Sequence, residues 1–69
     1  MLDLTKVHSS NVLAIGFENN ILEVWFVDGA VYHYFGVPEH IYNSFLSAPS
    51  KGQFVHTHLT NFYHYERLR

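Results

Sequence analysis

Leu22-Glu23-Val24-Trp25-Phe26-Val27 and Ala30-Val31-Tyr32-His33-Tyr34-Phe35 are two strand-like runs separated only by Asp28-Gly29. Asp-Gly between apolar runs is the strongest short-range hairpin signal, because Gly adopts positive φ freely and Asp tolerates it. A tight reversal fixes the register, and the register decides which aromatic rings are buried. With Asp28-Gly29 as a two-residue loop, Phe26 opposes Val31, Trp25 opposes Tyr32, Val24 opposes His33 and Glu23 opposes Tyr34. Asn11 to Phe17 reads as a preceding strand that turns at Asn19-Asn20, which sets Phe17 against Leu22, Ile15 against Val24 and Leu13 against Phe26. Opposed residues share a face. The two assignments converge on one apolar face of Leu13, Ile15, Phe17, Leu22, Val24, Phe26, Val31, His33 and Phe35, taken as the core.

The opposite face then holds Glu23, Trp25, Tyr32 and Tyr34, an aromatic surface that stacks bases or docks a protein. The competing reading folds the segment Tyr63 to Leu68, or the N-terminal residues, over these rings. A bulge at Asp28-Gly29 would turn the tyrosines inward and remove the surface altogether.

Beyond the hairpins, Pro38 opens a helix where a missing N–H does no harm, and Glu39 suits its first turn. Ile41, Tyr42, Phe45 and Leu46 recur at helical spacing. Ala48-Pro49 ends that helix. Ser50-Lys51-Gly52-Gln53 is a capping box for a second helix, whose apolar stripe is Phe54, Val55, His58, Leu59 and Phe62. Gly52 allows close packing against the first helix. Tyr63-His64-Tyr65-Glu66-Arg67-Leu68 reads as a short terminal strand along the edge of the Asn11–Phe17 strand. The expected architecture is α+β: a three-stranded antiparallel meander with two helices on one face and a short C-terminal edge strand. Residues 1–69 form one domain, with 1–9 a lead-in.

At 69 residues the chain is near the lower limit for a self-sufficient core, and six Phe, five Tyr and one Trp concentrate its apolar content. With no cysteine there is neither a disulfide framework nor a zinc-thiolate site. No apolar run reaches membrane-spanning length, and the N-terminus lacks a signal-peptide pattern, so a cytoplasmic protein with no membrane contact is expected. Self-association would complete the burial of so aromatic a small domain. The formal charge of −2 opposes tight nucleic-acid binding, although protonating all six histidines would carry it to +4.

His56, His58 and His64 invite a metal site, but on a helix residues 56 and 58 stand about 200° apart. No Asp, Glu or Cys completes a shell there, so no metal or other cofactor is expected. His33 reads as a core histidine donating to a backbone carbonyl. Ser50 is explained by its cap, and no acid orients His56 beside it, so no catalytic residue is assigned and the chain is read as a non-enzyme.

Leu22-x-Val24-x-Phe26-x-x-Gly29-x-x-Tyr32-x-Tyr34, with Val37-Pro38, Tyr42, Ala48-x-Ser50-x-Gly52-x-Phe54, Tyr63 and Arg67-Leu68, resembles the KTSC domain. This module of roughly sixty residues ends some bacterial lysyl-tRNA synthetases and stands alone in bacterial and phage proteins. The resemblance covers Ser10 to Leu68. It implies a module without an established activity, for which RNA binding is suggested by the synthetase attachment, and it places Tyr32 and Tyr34 in the family's central tyrosine motif. The chain departs from the family's pattern at Thr60, where a basic residue usually follows the aliphatic one. The expected function is a small interaction module, binding a protein partner or its own copy through Trp25, Tyr32, Tyr34 and Glu23. Weak binding of RNA or tRNA is the alternative.

Overall fold

A computed structural model describes residues 3–69, so Met1 and Leu2 of the expected lead-in lie outside the described residues. Five strands run in the order β1 (Leu4–Lys6), β2 (Val12–Glu18), β3 (Ile21–Phe26), β4 (Val31–Phe35) and β5 (Tyr65–Arg67). Each is antiparallel to its neighbour in a single sheet whose spatial order is the chain order. Helix α1 (Glu39–Ser47) and helix α2 (Lys51–Phe54), which widens into a π-helical turn at Val55–Leu59, cover one face. The α+β expectation holds, but the meander has five strands rather than three. Part of the lead-in is an edge strand, and it occupies the outer edge of β2. The terminal strand therefore pairs with β4, not with the Asn11–Phe17 strand.

The first hairpin forms as read. Asn19 and Asn20 both have positive φ, 54° and 63°, which is the two-residue loop whose twist matches its strands. Phe17 opposes Leu22 and Ile15 opposes Val24. Further along, a bulge between Val12 and Ala14 puts Val12 rather than Leu13 opposite Phe26. Leu13, expected in the core, is 47% exposed, while Val12 is fully buried.

The second hairpin differs by one residue. Its loop is Val27-Asp28-Gly29, closed by Phe26 N–H donating to the Ala30 carbonyl at 2.9 Å. Gly29 N–H donates to the Phe26 carbonyl at 3.0 Å, and Gly29 takes φ 97°. Among the described non-glycine residues only Asn19 and Asn20 have positive φ, so Asp28 does not adopt the geometry a two-residue loop demands. Its carboxylate instead accepts from Ala30 N–H at 3.0 Å. A three-residue loop with Gly in the left-handed position is the next commonest hairpin solution. Val24 now opposes Tyr32, Leu22 opposes Tyr34, Glu23 opposes His33 and Trp25 opposes Val31. Every β4 side chain thereby changes face. Val31, His33 and Phe35 leave the expected core face, and Tyr32 and Tyr34 enter it.

The core is Val12, Ile15, Leu22, Val24 and Tyr34 from the sheet, packed against Val37, Phe45, Val55 and Leu59. Val37 is set by a reciprocal tie to the first turn: its N–H donates to the Asn20 carbonyl, and Asn20 Nδ2 donates to the Val37 carbonyl. Phe45 stacks on Phe54 with centroids 5.0 Å apart, and Phe17 stacks on Tyr42 at 4.8 Å. Ala48 is extended before Pro49, as the proline requires. Ser50 Oγ accepts from Gln53 N–H at 3.3 Å, and Lys51 Nζ donates to the Ala48 carbonyl at 2.6 Å.

Within the π-helical turn, Thr60 N–H reaches back five residues to the Val55 carbonyl. The extra residue shifts the phase of the apolar stripe. Val55 and Leu59 stay buried, whereas Phe62 is 69% exposed and His58 leaves the core to pack on Phe54.

Gly52 faces Asn11, not helix α1. A Cβ there would lie 2.8 Å from Asn11 Oδ1 and 3.1 Å from Asn11 Cβ. Alanine is worth about 1 kcal/mol over glycine in a helix, but this overlap exceeds that gain because Asn11 Cβ is fixed by the backbone. Gly52→Ala is expected to lower stability by about 1 kcal/mol net, partly restored by a second change, Asn11→Gly. Urea midpoints of the single and double variants check this.

Candidate functional site

The one-residue slip divides the residues expected to form one surface. Tyr32 and Tyr34 face the helices, while Trp25 and Glu23 remain on the open face of the sheet with His33. The four do not form one binding surface.

On the helix side the tyrosines build a groove of about 270 Å³ between the second hairpin, β4, β5 and the end of the π-helical turn. Alternation along β5 aims Tyr65 and Arg67 to this side, opposite Tyr34 and Tyr32. Tyr32 is the hub of the rings: its centroid lies 5.5 Å from Phe26, edge to face, 6.1 Å from Tyr34 and 5.7 Å from Tyr65. Tyr34 and Tyr65 are 5.5 Å apart. Val55 adds an aliphatic wall, and Asp28, Thr60 and Arg67 supply the polar lining. Tyr34 is only 1% exposed and forms the floor, while Tyr65 is 41% exposed. The Tyr34 hydroxyl shares a 3.5 Å hydrogen bond with Thr60 Oγ1. Burial pushes the Tyr34 phenol above its ordinary value, against the opposing pull of the Thr60 bond, and the neighbouring Tyr32 and Tyr65 add to the rise. Thr60 thus sits in this groove.

The sequence reading missed Phe26, Tyr65, Arg67 and Thr60 as groove residues. Alternation of Tyr65 and Arg67 within the terminal strand was the available signal, but its neighbouring strand was needed to use it.

On the open face, Glu23 bridges two partners. Trp25 Nε1–H donates to Oε2 at 2.5 Å, and His33 Nε2 lies 2.7 Å from Oε1. A carboxylate only accepts, so Nε2 of His33 is the donor in this contact. The Arg69 guanidinium carbon stands 5.4 Å from the centre of the Trp25 ring. Glu66 lies across the strand from His33 on the same face. Burial raises the Glu23 pKa, but the hydrogen bonds from Trp25 and His33, with the His33 charge, outweigh it and hold the carboxyl below its ordinary 4.5.

A carboxylate with a depressed folded pKa stabilises the protein fully above its unfolded value, and that contribution is lost as pH falls through the folded one. Stability is therefore expected to decline on acidification below about pH 4.5. In Glu23→Gln this acid limb becomes shallower, as urea midpoints between about pH 6 and about pH 3 will show.

His56, His58 and His64 do not converge: among the described residues no group of three or more His, Asp or Glu side chains could hold a metal ion. Nor is any helix of the described residues long and apolar enough to cross a membrane.

No curated protein matches the chain. A KTSC domain protein from Yersinia pestis, known from its crystal structure, is 33% identical, with both chains covered completely and a TM-score of 0.90. The family model of the KTSC domain matches residues 8–65. With the match spanning both hairpins, both helices and the start of β5, the chain belongs to the KTSC domain family.

Proposed function

We infer that the chain is a non-enzymatic binding module that takes a ring-bearing side chain of a protein partner into the groove over Tyr32 and Tyr34. One observation carries this: the aromatic cluster is left open on the β5 side, where a half-exposed Tyr65 and Arg67 stand beside an otherwise buried floor. An aromatic pair contributes about 0.5–1.5 kcal/mol beyond its buried area, and two or three rings are available. A cytoplasmic setting belongs to the same reading.

Weak RNA binding is the second reading, favoured by the same rings with Arg67, since a base stacked on an aromatic side chain gains about 1–3 kcal/mol. The net charge of −2 and Asp28 in the groove weigh against it. Self-association is the third. Titrating ¹⁵N-labelled protein with a blocked phenylalanine tripeptide and, separately, with hexauridylate at low salt tests the first two, and light scattering tests the third. The expected result is peptide-induced movement of the Tyr32, Thr60 and Tyr65 signals, abolished in Tyr65→Ala and retained in Trp25→Ala. Salt-sensitive shifts with hexauridylate alone would replace this reading by the RNA one. A doubled mass in light scattering would replace it by self-association.

A further inference from the structure

The groove opens beside one of the two edges of the sheet, the one formed by β5. β5 is the last strand among the described residues, and its hydrogen-bonding phase is fixed by two bonds to β4. Phe35 N–H donates to the His64 carbonyl, and Leu68 N–H donates to the Val31 carbonyl. Alternation places Glu66 in the ladder with His33, so the backbone N–H and C=O groups of Tyr65 and Arg67 point away from the sheet. Those four groups are a template for another strand.

Side chains along this edge carry a charge pattern. Arg67 and Tyr65 lie on the groove side, and Glu66 lies on the open side. A second copy pairing antiparallel about Glu66 would set two Glu66 carboxylates directly opposite one another, which is unfavourable. The same edge complements a strand with an acid facing Arg67, a base facing Glu66 and an aromatic residue facing Tyr65.

We propose that β5 binds an extended peptide by strand addition, and that the peptide reads acidic, basic, aromatic antiparallel to Tyr65-Glu66-Arg67. This rests on the groove reading for its aromatic residue but not for its main-chain hydrogen bonds. The backbone supplies most of the affinity, and the alternating side chains select the sequence.

The probe is a blocked heptapeptide, Thr-Val-Glu-Lys-Phe-Val-Thr, titrated against the ¹⁵N-labelled full chain. Tyr65 and Arg67 amides are expected to shift and to become protected from hydrogen exchange. N-methylating the peptide's Glu and Phe nitrogens is expected to weaken binding at least tenfold, and exchanging its Glu and Lys should weaken it several-fold. No response of those two amides at about 1 mM peptide, equal binding of the N-methylated peptide, or shifts confined to β1 would overturn the proposal. So would exchange protection of Tyr65 and Arg67 that grows with protein concentration alone, the mark of a second copy. The two readings fail separately. If replacing the peptide's Phe by Ala leaves affinity and amide protection intact, the groove reading falls and strand addition stands. If binding depends on that Phe yet survives N-methylation, strand addition falls and the groove stands.

Discussion

Phe45→Ala is expected to remove about 3–5 kcal/mol, the range for truncating a buried phenylalanine. Phe45 is fully buried, lies face to face with Phe54 and belongs to the single cluster that joins helices to sheet. No disulfide shares its task. A single core in a domain of this size rarely provides more than about 3–5 kcal/mol, so the loss approaches the whole stability and the variant is expected to be largely unfolded at room temperature. Urea titration followed by far-ultraviolet circular dichroism measures this, with Phe54→Ala as the comparison. Phe54 is only half-buried, and its truncation is expected to leave a folded protein with a lower midpoint. A loss below about 1 kcal/mol for Phe45→Ala would mean that helix α1 does not close the core.

How much of this could be read from the residues depends on how sharply each local choice was forced. Asn19-Asn20 admits one tight loop, and the pairing of Phe17 with Leu22 followed from it. Asp28-Gly29 suits two loops of different length, because Gly29 needs positive φ in both and Asp28 only in the shorter. Hydrophobic periodicity did not decide between them. Tyr32, His33 and Tyr34 each have an apolar body and a polar tip, so either phase yields a plausible apolar face. The structure resolves the tie with polar partners: His33 finds Glu23 on the open face, and the Tyr34 hydroxyl finds Thr60 on the other.

The edges were less legible for another reason. Leu4–Lys6 is an exposed three-residue strand, too short for alternation to mark it, while Tyr65–Arg67 was legible as a strand but not its neighbour. With β1 occupying the outer edge of β2, the chain leaving the helices meets only the free edge of β4. The π-helical bond from Thr60 to Val55 likewise has no side-chain signature, yet it moves His58 and Phe62 out of the stripe. The α+β class and the starts of both helices were therefore within reach of the sequence. The groove was not, because it needs the slipped register and the β4–β5 pairing together.

Tyr34→Ala is the substitution that tests this register most directly, and it is expected to cost about 3–5 kcal/mol, comparable to Phe45→Ala. Trp25→Ala, on the open face, is expected to cost clearly less, since it leaves no cavity beneath the helices. The opposite ranking would restore the two-residue loop and place the tyrosines outside. Tyr34→Phe separates the ring from its hydroxyl. The bond to Thr60 is long at 3.5 Å, so its loss is expected to lower stability by about 1 kcal/mol or less. The hydroxyl matters more in alkali. Because the folded protein holds the phenol neutral beyond the ordinary 10.0, its contribution is present below that pH and is lost as pH rises through the higher folded pKa. In a spectrophotometric titration Tyr34 is expected to ionise late, above the ordinary tyrosine value and together with unfolding. Tyr34→Phe removes that late step and is expected to resist alkaline unfolding better than the parent. A late step unchanged in Tyr34→Phe would assign the shielded phenol to another tyrosine, and the groove floor with it.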